Sequence, residues 1–163
     1  MTSFPASDRL LHGIALLCIG AVLVALISQH VFDMRPCAWC VFQRLIYLLI
    51  AVLCWGALAA RRWQPVSFLF CAAVPLAAIG GALAAWYQYD VASEMFSCDL
   101  TFADRFMVNS GLDAGLPWLF GIQASCLDAK VDLLGVEYAI WSLALFLVIA
   151  VLGIRHLANR KPQ

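Results

Sequence analysis

Four long stretches without a charged side chain decide most of what this sequence can fold into. They cover residues 10–31, 45–60, 64–89 and 138–154. A helix needs about 20 apolar residues to cross a bilayer, and these stretches are apolar all round, with no opposed polar face. We therefore predict an all-α membrane protein, a four-transmembrane-helix bundle. The spans are placed at about residues 10–30, 41–60, 66–88 and 138–155.

The composition supports lipid as the solvent for most of the chain. Of the 163 residues, 64% are hydrophobic and 12% are charged, whereas soluble domains carry about 25% charged residues. Ten basic residues are balanced by ten acidic ones, which excludes a basic nucleic-acid binder and predicts no nucleic-acid partner. Residues 1–163 are expected to form a single integral-membrane domain in the lipid bilayer.

The charges outside the spans predict an orientation, because Lys and Arg accumulate in the short cytoplasmic loops of membrane proteins. The side that holds both termini carries six basic residues and one acid, Arg9, Arg61, Arg62, Arg155, Arg160, Lys161 and Asp8. The other side carries four basic residues and nine acids. We predict cytoplasmic termini, with outward loops at about residues 31–40 and 89–137.

The second outward loop is expected to lie partly on the membrane surface. Residues 116–122 read LPWLFGI, an apolar and aromatic patch that suits the interface. Residues 126–138 alternate acidic and apolar side chains, and we predict a short interfacial helix there. No strand is predicted in the chain.

The seven cysteines fall into two groups on this topology. Three lie inside predicted spans, where a thiol packs as a small hydrophobe, and four lie in the outward loops. The first group is Cys18, Cys54 and Cys71, and the second is Cys37 and Cys40 in the short loop with Cys98 and Cys126 in the long loop. Four cysteines allow three pairings, of which the natural one joins the two within each loop. In a periplasm such disulfides form and persist.

The motif PCAWC at residues 36–40 places a C-x-x-C at the start of the second span. A disulfide in so small a loop is strained, which makes it labile or catalytic. Cys40 falls at a helix N-terminus, where free amide groups and the macrodipole stabilise a thiolate. Arg44 lies one turn further on the same face. Because a cation near hydrocarbon is costly, Arg44 is expected to stabilise an anion beside Cys40 rather than only mark the membrane edge.

A zinc site is a weaker interpretation of the same cysteines. Zinc sites usually need a second C-x-x-C or accompanying histidines, but Cys98 and Cys126 are far apart in the sequence and only His30 lies near the short loop. We predict no metal.

The loop sequence QHVFDMRPCAWCVFQR at residues 29–44 resembles the first outward loop of the bacterial disulfide bond formation protein B (DsbB) family, the quinone-dependent thiol oxidoreductases of the inner membrane. The four-span layout, the pair Cys98 and Cys126, and VDLLGVEYAIWSL at residues 131–143 are similar too. The resemblance therefore covers nearly the whole chain. It implies a bacterial inner-membrane protein, with the two outward loops, at about residues 31–40 and 89–137, in the periplasm.

The resemblance implies a path for electrons through the four outward cysteines. Cys98 would form the mixed disulfide with DsbA, a soluble periplasmic thioredoxin-fold oxidase, and Cys126 would then attack the pair at the membrane edge. Cys37 would receive that attack. Cys40 would be the thiolate that contacts a bound membrane quinone, ubiquinone or menaquinone, with Arg44 stabilising the developing negative charge.

Two positions depart from the better-known members of that family. Gln43 stands before Arg44 where some relatives have an acidic residue, and the third span ends in AAWYQYDV where relatives often place a histidine or a glutamine near the quinone. Gln88, with Tyr87 or Trp86, is our substitute at this quinone-binding position. The alternative is that the aromatic residues belong to the membrane-interface belt.

The sequence thus predicts an enzyme that reoxidises DsbA and passes the electrons to a quinone. Two alternatives stay open. One is another quinone-linked thiol oxidoreductase, VKOR-like or paralogous, with a different partner. The other is a non-catalytic membrane scaffold whose loop disulfides are structural.

Overall fold

Four long helices dominate the computed structural model, which describes residues 6–90, 101–133 and 135–159. They are α1 (Ala6–Val31), α2 (Ala38–Ala59), α3 (Gln64–Asp90) and the C-terminal helix Tyr138–Ala158, which is α7 in chain order. Each is long and apolar enough to cross a membrane. The predicted all-α fold of a four-helix membrane protein is confirmed.

The packing of the four helices is uneven, and this creates the cleft described below. The helix α3 packs along both α2 and α7, and α1 packs along α2. By contrast, α1 and α7 touch over only a short part of their length. The groove between α1 and α7 is therefore left open beside the first turns of α2.

Close packing inside the bundle depends on one glycine in particular. The ring of Tyr47 on α2 stacks on the ring of Phe146 on α7, with centroids 4.1 Å apart and planes inclined by 3°. Phe146 is fully buried because Gly81 on α3 leaves room for it, and a Cβ at Gly81 would overlap the Phe146 ring. The neighbouring Gly80 has nothing within 4 Å of such a Cβ.

The loop between α3 and α7 contains short helices that lie against the start of α2. They are α4 (Phe102–Asn109), α5 (Leu112–Gly115) and α6 (Pro117–Phe120). Thr101 and Asp104 form a capping box that fixes the start of α4. Met107 of α4 and Phe120 of α6 are buried in one cluster with Val41 of α2, so the loop is held against the helix that carries the C-x-x-C motif.

The structure differs from the sequence prediction over residues 126–138. Residues 126–129 form turns, and β1 (Asp132–Leu133) pairs antiparallel with β2 (Val136–Glu137). Gly135 takes a φ of 78°, a conformation that glycine adopts without strain and that ends a helix. An acid–apolar alternation has a period of two, which suits a strand better than a helix. The hairpin is two residues a side and does not change the fold class.

Candidate dithiol site at the membrane boundary

The PCAWC motif forms the N-terminal edge of α2. Cys37 is the N-cap residue, with extended backbone (φ −85°, ψ 172°), and its side chain is 0% exposed. Cys40 lies in the first turn and is partly exposed. The two Sγ atoms are 3.3 Å apart, within hydrogen-bonding distance and longer than the S–S bond of about 2.05 Å.

The segment of the long loop that carries Cys126 docks onto this motif. The backbone N–H groups of Gln123 and Ala124 both donate to the carbonyl oxygen of Pro36, at 3.0 and 3.3 Å. Cys126 in turn packs in the cluster formed around Cys37 and shares a hydrogen bond with its thiol. Three of the four predicted cysteines therefore meet at one place, while Cys98 lies outside the described residues.

The environment of Cys37 favours the protonated thiol. Its hydrogen bonds to Cys126 and then to Cys40, together with burial, raise the pKa of the Cys37 thiol well above its ordinary value. Burial disfavours the charged form, and a hydrogen bond donated by the thiol is lost on ionisation. While Cys37 is protonated, its single S–H can donate a hydrogen bond to one of these two neighbours at a time.

The sulfur of Cys40 accepts hydrogen bonds instead. The side-chain Nε2 of Gln88, two residues before the end of α3, donates to Cys40 Sγ at 3.2 Å. The same side chain accepts at Oε1 from Gln43 Nε2 at 2.7 Å. Together with the N-terminus of α2, these donors suit a negative charge on Cys40, so the two cysteines of the pair are chemically unequal.

Arg44 is buried among neutral hydrogen-bond acceptors. It is 5% exposed, and its Nη1 donates to Gln29 Oε1 at 2.6 Å and to the carbonyl oxygen of Leu119 at 3.0 Å. Its Nη2 donates to the carbonyl oxygen of Ala25 at 3.4 Å. Its Nε is buried with no hydrogen-bond partner, and within the described part of the chain no carboxylate lies at ion-pair distance from it. A buried cation of this kind favours an anion nearby.

A cavity of about 400 Å³ lies beside these groups, between α1, α7 and the end of the long loop. Its walls are mostly apolar, and its polar lining includes Cys40, Gln43, Arg44, Gln88 and Tyr138. An apolar pocket with a few convergent polar groups is the usual form of a small-molecule site. The cavity is large enough to be one.

The two aromatic candidates at the end of α3 lie elsewhere. The ring of Tyr87 packs on the ring of Trp39, with centroids 4.8 Å apart, and Tyr87 is not among the residues that line the cavity. Trp86 is exposed, and its ring packs near the ring of Tyr89, with centroids 6.2 Å apart. The structure thus brings Gln88 to the sulfur and leaves Tyr87 and Trp86 away from it. A quinone-binding role of Tyr87 stays a prediction.

Sequence reasoning missed the groups that hold Arg44. Gln29 ends up against Arg44 only because α1 and α2 pack side by side, and the Leu119 contact is made by a backbone carbonyl, which leaves no mark in a sequence. Tyr138 and Ser142 on α7, which also line the cavity, could have been recognised from the sequence. They are hydroxyl side chains one helical turn apart in an otherwise apolar span, where polar groups are usually functional.

A bundle of four apolar helices with a C-x-x-C dithiol at the N-terminus of one of them defines a membrane-embedded disulfide oxidoreductase. The chain belongs to the family of disulfide bond formation protein DsbB, whose family model matches residues 7–155. The family resemblance found in the sequence is confirmed.

Relatives named disulfide bond formation protein B match this chain over most of their length. The chain is 31% identical over 158 residues to disulfide bond formation protein B of Herminiimonas arsenicoxydans, covering 96% of this chain and 98% of that protein. It is 33% identical over 145 residues to disulfide bond formation protein B 1 of Pseudomonas putida, covering 88% and 86%. The corresponding protein of Nitrosomonas europaea is 28% identical over 142 residues, covering 86% and 87%.

Proposed function

We propose that this protein reoxidises a DsbA-like periplasmic thioredoxin-fold oxidase and passes the two electrons to a membrane quinone, ubiquinone or menaquinone. One observation carries the proposal. The sulfur of Cys40 and the buried guanidinium of Arg44, which has no carboxylate at ion-pair distance among the described residues, line the same cavity between α1 and α7.

The first exchange takes place in the long loop. A thiolate of the reduced partner attacks Cys98 of a Cys98–Cys126 disulfide, which forms a mixed disulfide and releases Cys126 as the thiolate. The second thiol of the partner then displaces Cys98 and closes the partner's own disulfide. Two electrons and two protons have moved from the partner to Cys98 and Cys126.

The second exchange passes the two electrons to the Cys37–Cys40 pair at the membrane edge. Cys126 attacks Cys37 of a Cys37–Cys40 disulfide and releases Cys40 as the thiolate, after which Cys98 attacks Cys126 and restores the loop disulfide. Cys126 packs in the cluster that contains Cys37, which supports this route because the attacking residue already lies beside the residue that it attacks. The raised pKa of Cys37 suits it as the protonated member of the reduced pair, and Cys40 as the sulfur that carries the charge.

The residues around the cavity fit a quinone. A quinone supplies a two-electron, two-proton acceptor that is soluble in the bilayer. Among the described residues, the buried Nε of Arg44 has no hydrogen-bond partner. Tyr138 and Gln88 line the same cavity. These groups offer hydrogen-bond donors to carbonyl oxygens, and the apolar walls suit a ring and an isoprenoid chain.

The proposed orientation places the dithiol in the periplasm. The ends of α1 and α3 and the starts of α2 and α7 share the side with the Cys37–Cys40 pair, and this is the side with nine acids and four basic residues. The excess of basic residues on the other side supports cytoplasmic termini.

Quinone reduction by purified components tests the function. The protein is mixed with a reduced thioredoxin-fold oxidase and a ubiquinone analogue, and the quinone absorbance is followed. We expect quinone loss that is abolished in Cys40→Ser. No quinone loss with the wild-type protein, either with the oxidase or with dithiothreitol as reductant, would indicate a scaffold. Quinone loss with dithiothreitol alone would instead indicate a related enzyme with a different partner.

A further inference from the structure

Two buried glutamines, Gln43 on α2 and Gln88 on α3, have side-chain amides that are hydrogen-bonded to each other next to the Cys40 sulfur. Gln43 is 5% exposed and Gln88 is 7% exposed. Gln43 Nε2 donates to Gln88 Oε1 at 2.7 Å, and Gln88 Nε2 donates to Cys40 Sγ at 3.2 Å. The three side chains therefore form one hydrogen-bonded chain that ends on the sulfur.

The direction of this chain matters because an amide differs at its two ends. The nitrogen end only donates hydrogen bonds, and the oxygen end only accepts them. A donor facing Cys40 stabilises the thiolate, whereas an acceptor facing it stabilises the thiol. Rotation of the Gln88 amide by half a turn would thus reverse its effect on the sulfur.

We infer that Gln43 is a positioning residue, which occupies the oxygen end of the Gln88 amide and so keeps its nitrogen end toward Cys40. This inference rests on the proposed function in treating Cys40 as the sulfur that gives up electrons. No hydrogen bond joins Gln43 to Cys40 among the described residues, so Gln43 acts through Gln88. The Gln43 amide supplies this orientation without placing a negative charge beside the sulfur.

The other titratable and charged groups near the sulfur stay constant in the test. They are Cys37 at the N-cap of α2, Arg44 and Tyr47 on α2, Arg35 in the preceding loop, Cys126 in the long loop, Glu137 in β2 and Tyr138 at the start of α7. None of them is changed in the variants below, so a difference between the variants reports the amide pair.

The test measures how fast iodoacetamide alkylates Cys40 in the full-length reduced protein, with each cysteine resolved by mass spectrometry. The variants are Gln43→Met, Gln88→Met and the double variant. Gln64→Met is the matched control, since Gln64 is exposed at the opposite end of α3. Rates are compared at about pH 6.5, below the ordinary range for thiol ionisation, and at about pH 10.

We expect Gln88→Met to slow alkylation at the lower pH about tenfold, because a hydrogen bond to a charged group is lost. Gln43→Met should slow it about threefold. The double variant should be no slower than Gln88→Met, since Gln43 acts only through Gln88. All variants should match wild type at the higher pH, and Gln64→Met should match it throughout.

An unchanged rate in Gln43→Met would overturn the inference, as would the same threefold loss in the Gln88→Met background. If Gln43→Met does not fold, Gln43→Glu preserves the size of the side chain. Its carboxylate only accepts hydrogen bonds, so it should draw Gln88 Nε2 away from the sulfur and slow alkylation, and an unchanged rate would again overturn the inference. Because the readout needs neither quinone nor partner protein, its failure is distinguishable from a failure of the proposed function.

Discussion

The guanidinium of Arg44 on α2 donates a hydrogen bond of 3.0 Å to the carbonyl oxygen of Leu119, 75 residues further along the chain. One side chain therefore contacts both the cavity beside Cys40 and the loop that carries Cys126. Arg44 therefore lies between the cavity proposed for the quinone and the loop proposed to deliver the electrons.

Replacement of Arg44 by alanine should weaken the use of quinone more than the exchange with the partner protein. The charge and the donors facing the cavity are lost, and hydrogen bonds to a charged group are worth about 1.5–3 kcal/mol. We expect the KM for quinone to rise at least about tenfold. Steady-state quinone reduction measures this effect, and stopped-flow oxidation of the partner without quinone measures the first exchange.

A rate of quinone reduction equal to wild type in Arg44→Ala would refute the role given to Arg44. The lysine variant is a useful comparison because it keeps the charge. It lacks the planar fork that reaches Gln29 and Leu119 together, so it should recover only part of the activity.

Gln29 is expected to matter for stability because it holds Arg44. Gln29→Leu removes the 2.6 Å hydrogen bond to Arg44 Nη1 and leaves a buried donor without its partner, at a cost of about 1–3 kcal/mol. Thermal unfolding in detergent measures this loss. Gln64→Leu, at an exposed position, is the control and should unfold like wild type. Equal stability of both variants would contradict the prediction.

Cys37 should be slow to alkylate at neutral pH, because its pKa lies well above the ordinary value. The hydrogen bond to Cys126 is the largest cause of that shift. Cys126→Ala should therefore lower the pKa of Cys37 and speed its alkylation several-fold near pH 8. Peptide-resolved alkylation of the reduced protein across a pH series measures the pKa of Cys37 and its alkylation rate. If Cys37 reacted more slowly after removal of Cys126, the assigned cause would be incorrect.

Gly81 and Gly80 provide a matched pair for testing the core. Gly81→Ala should destabilise the bundle by about 1–3 kcal/mol, since overpacking displaces the buried ring of Phe146. Gly80→Ala adds the same methyl group where nothing lies within 4 Å and should be neutral or slightly stabilising. Thermal unfolding in detergent compares them, and a similar loss in both would rule out the contact with Phe146 as the cause.

The fold and part of the site could be predicted from local sequence. Uncharged length identifies the four long helices, because lipid requires every span to satisfy its own backbone, but it does not predict the short helices of the long loop. Gln88 was a candidate from its place at the end of a span. The adjacent Tyr87 points to Trp39 instead, because successive residues on a helix face directions about 100° apart. The sequence therefore predicts which turn of the helix lies near the site, whereas the residue of that turn that faces the site depends on how the helices pack.

The remaining parts of the site depend on contacts between distant segments. Gln29 meets Arg44 through the packing of α1 on α2, and Leu119 contributes a backbone oxygen that any residue would supply. The amide pair of Gln43 and Gln88 joins two helices whose relative rotation a single sequence does not specify. The hairpin near Gly135 replaces the predicted interfacial helix because the alternation of residues 126–138 has a period of two, which favours a strand.

The short contact between α1 and α7 has a consequence for how turnover should be measured. A groove between two lipid-facing helices admits a molecule that diffuses sideways in the plane of the bilayer, without passage through water. The concentration that governs saturation is then the mole fraction of acceptor in the lipid or detergent phase. Dilution with empty micelles at a fixed bulk amount of acceptor should therefore slow the reaction.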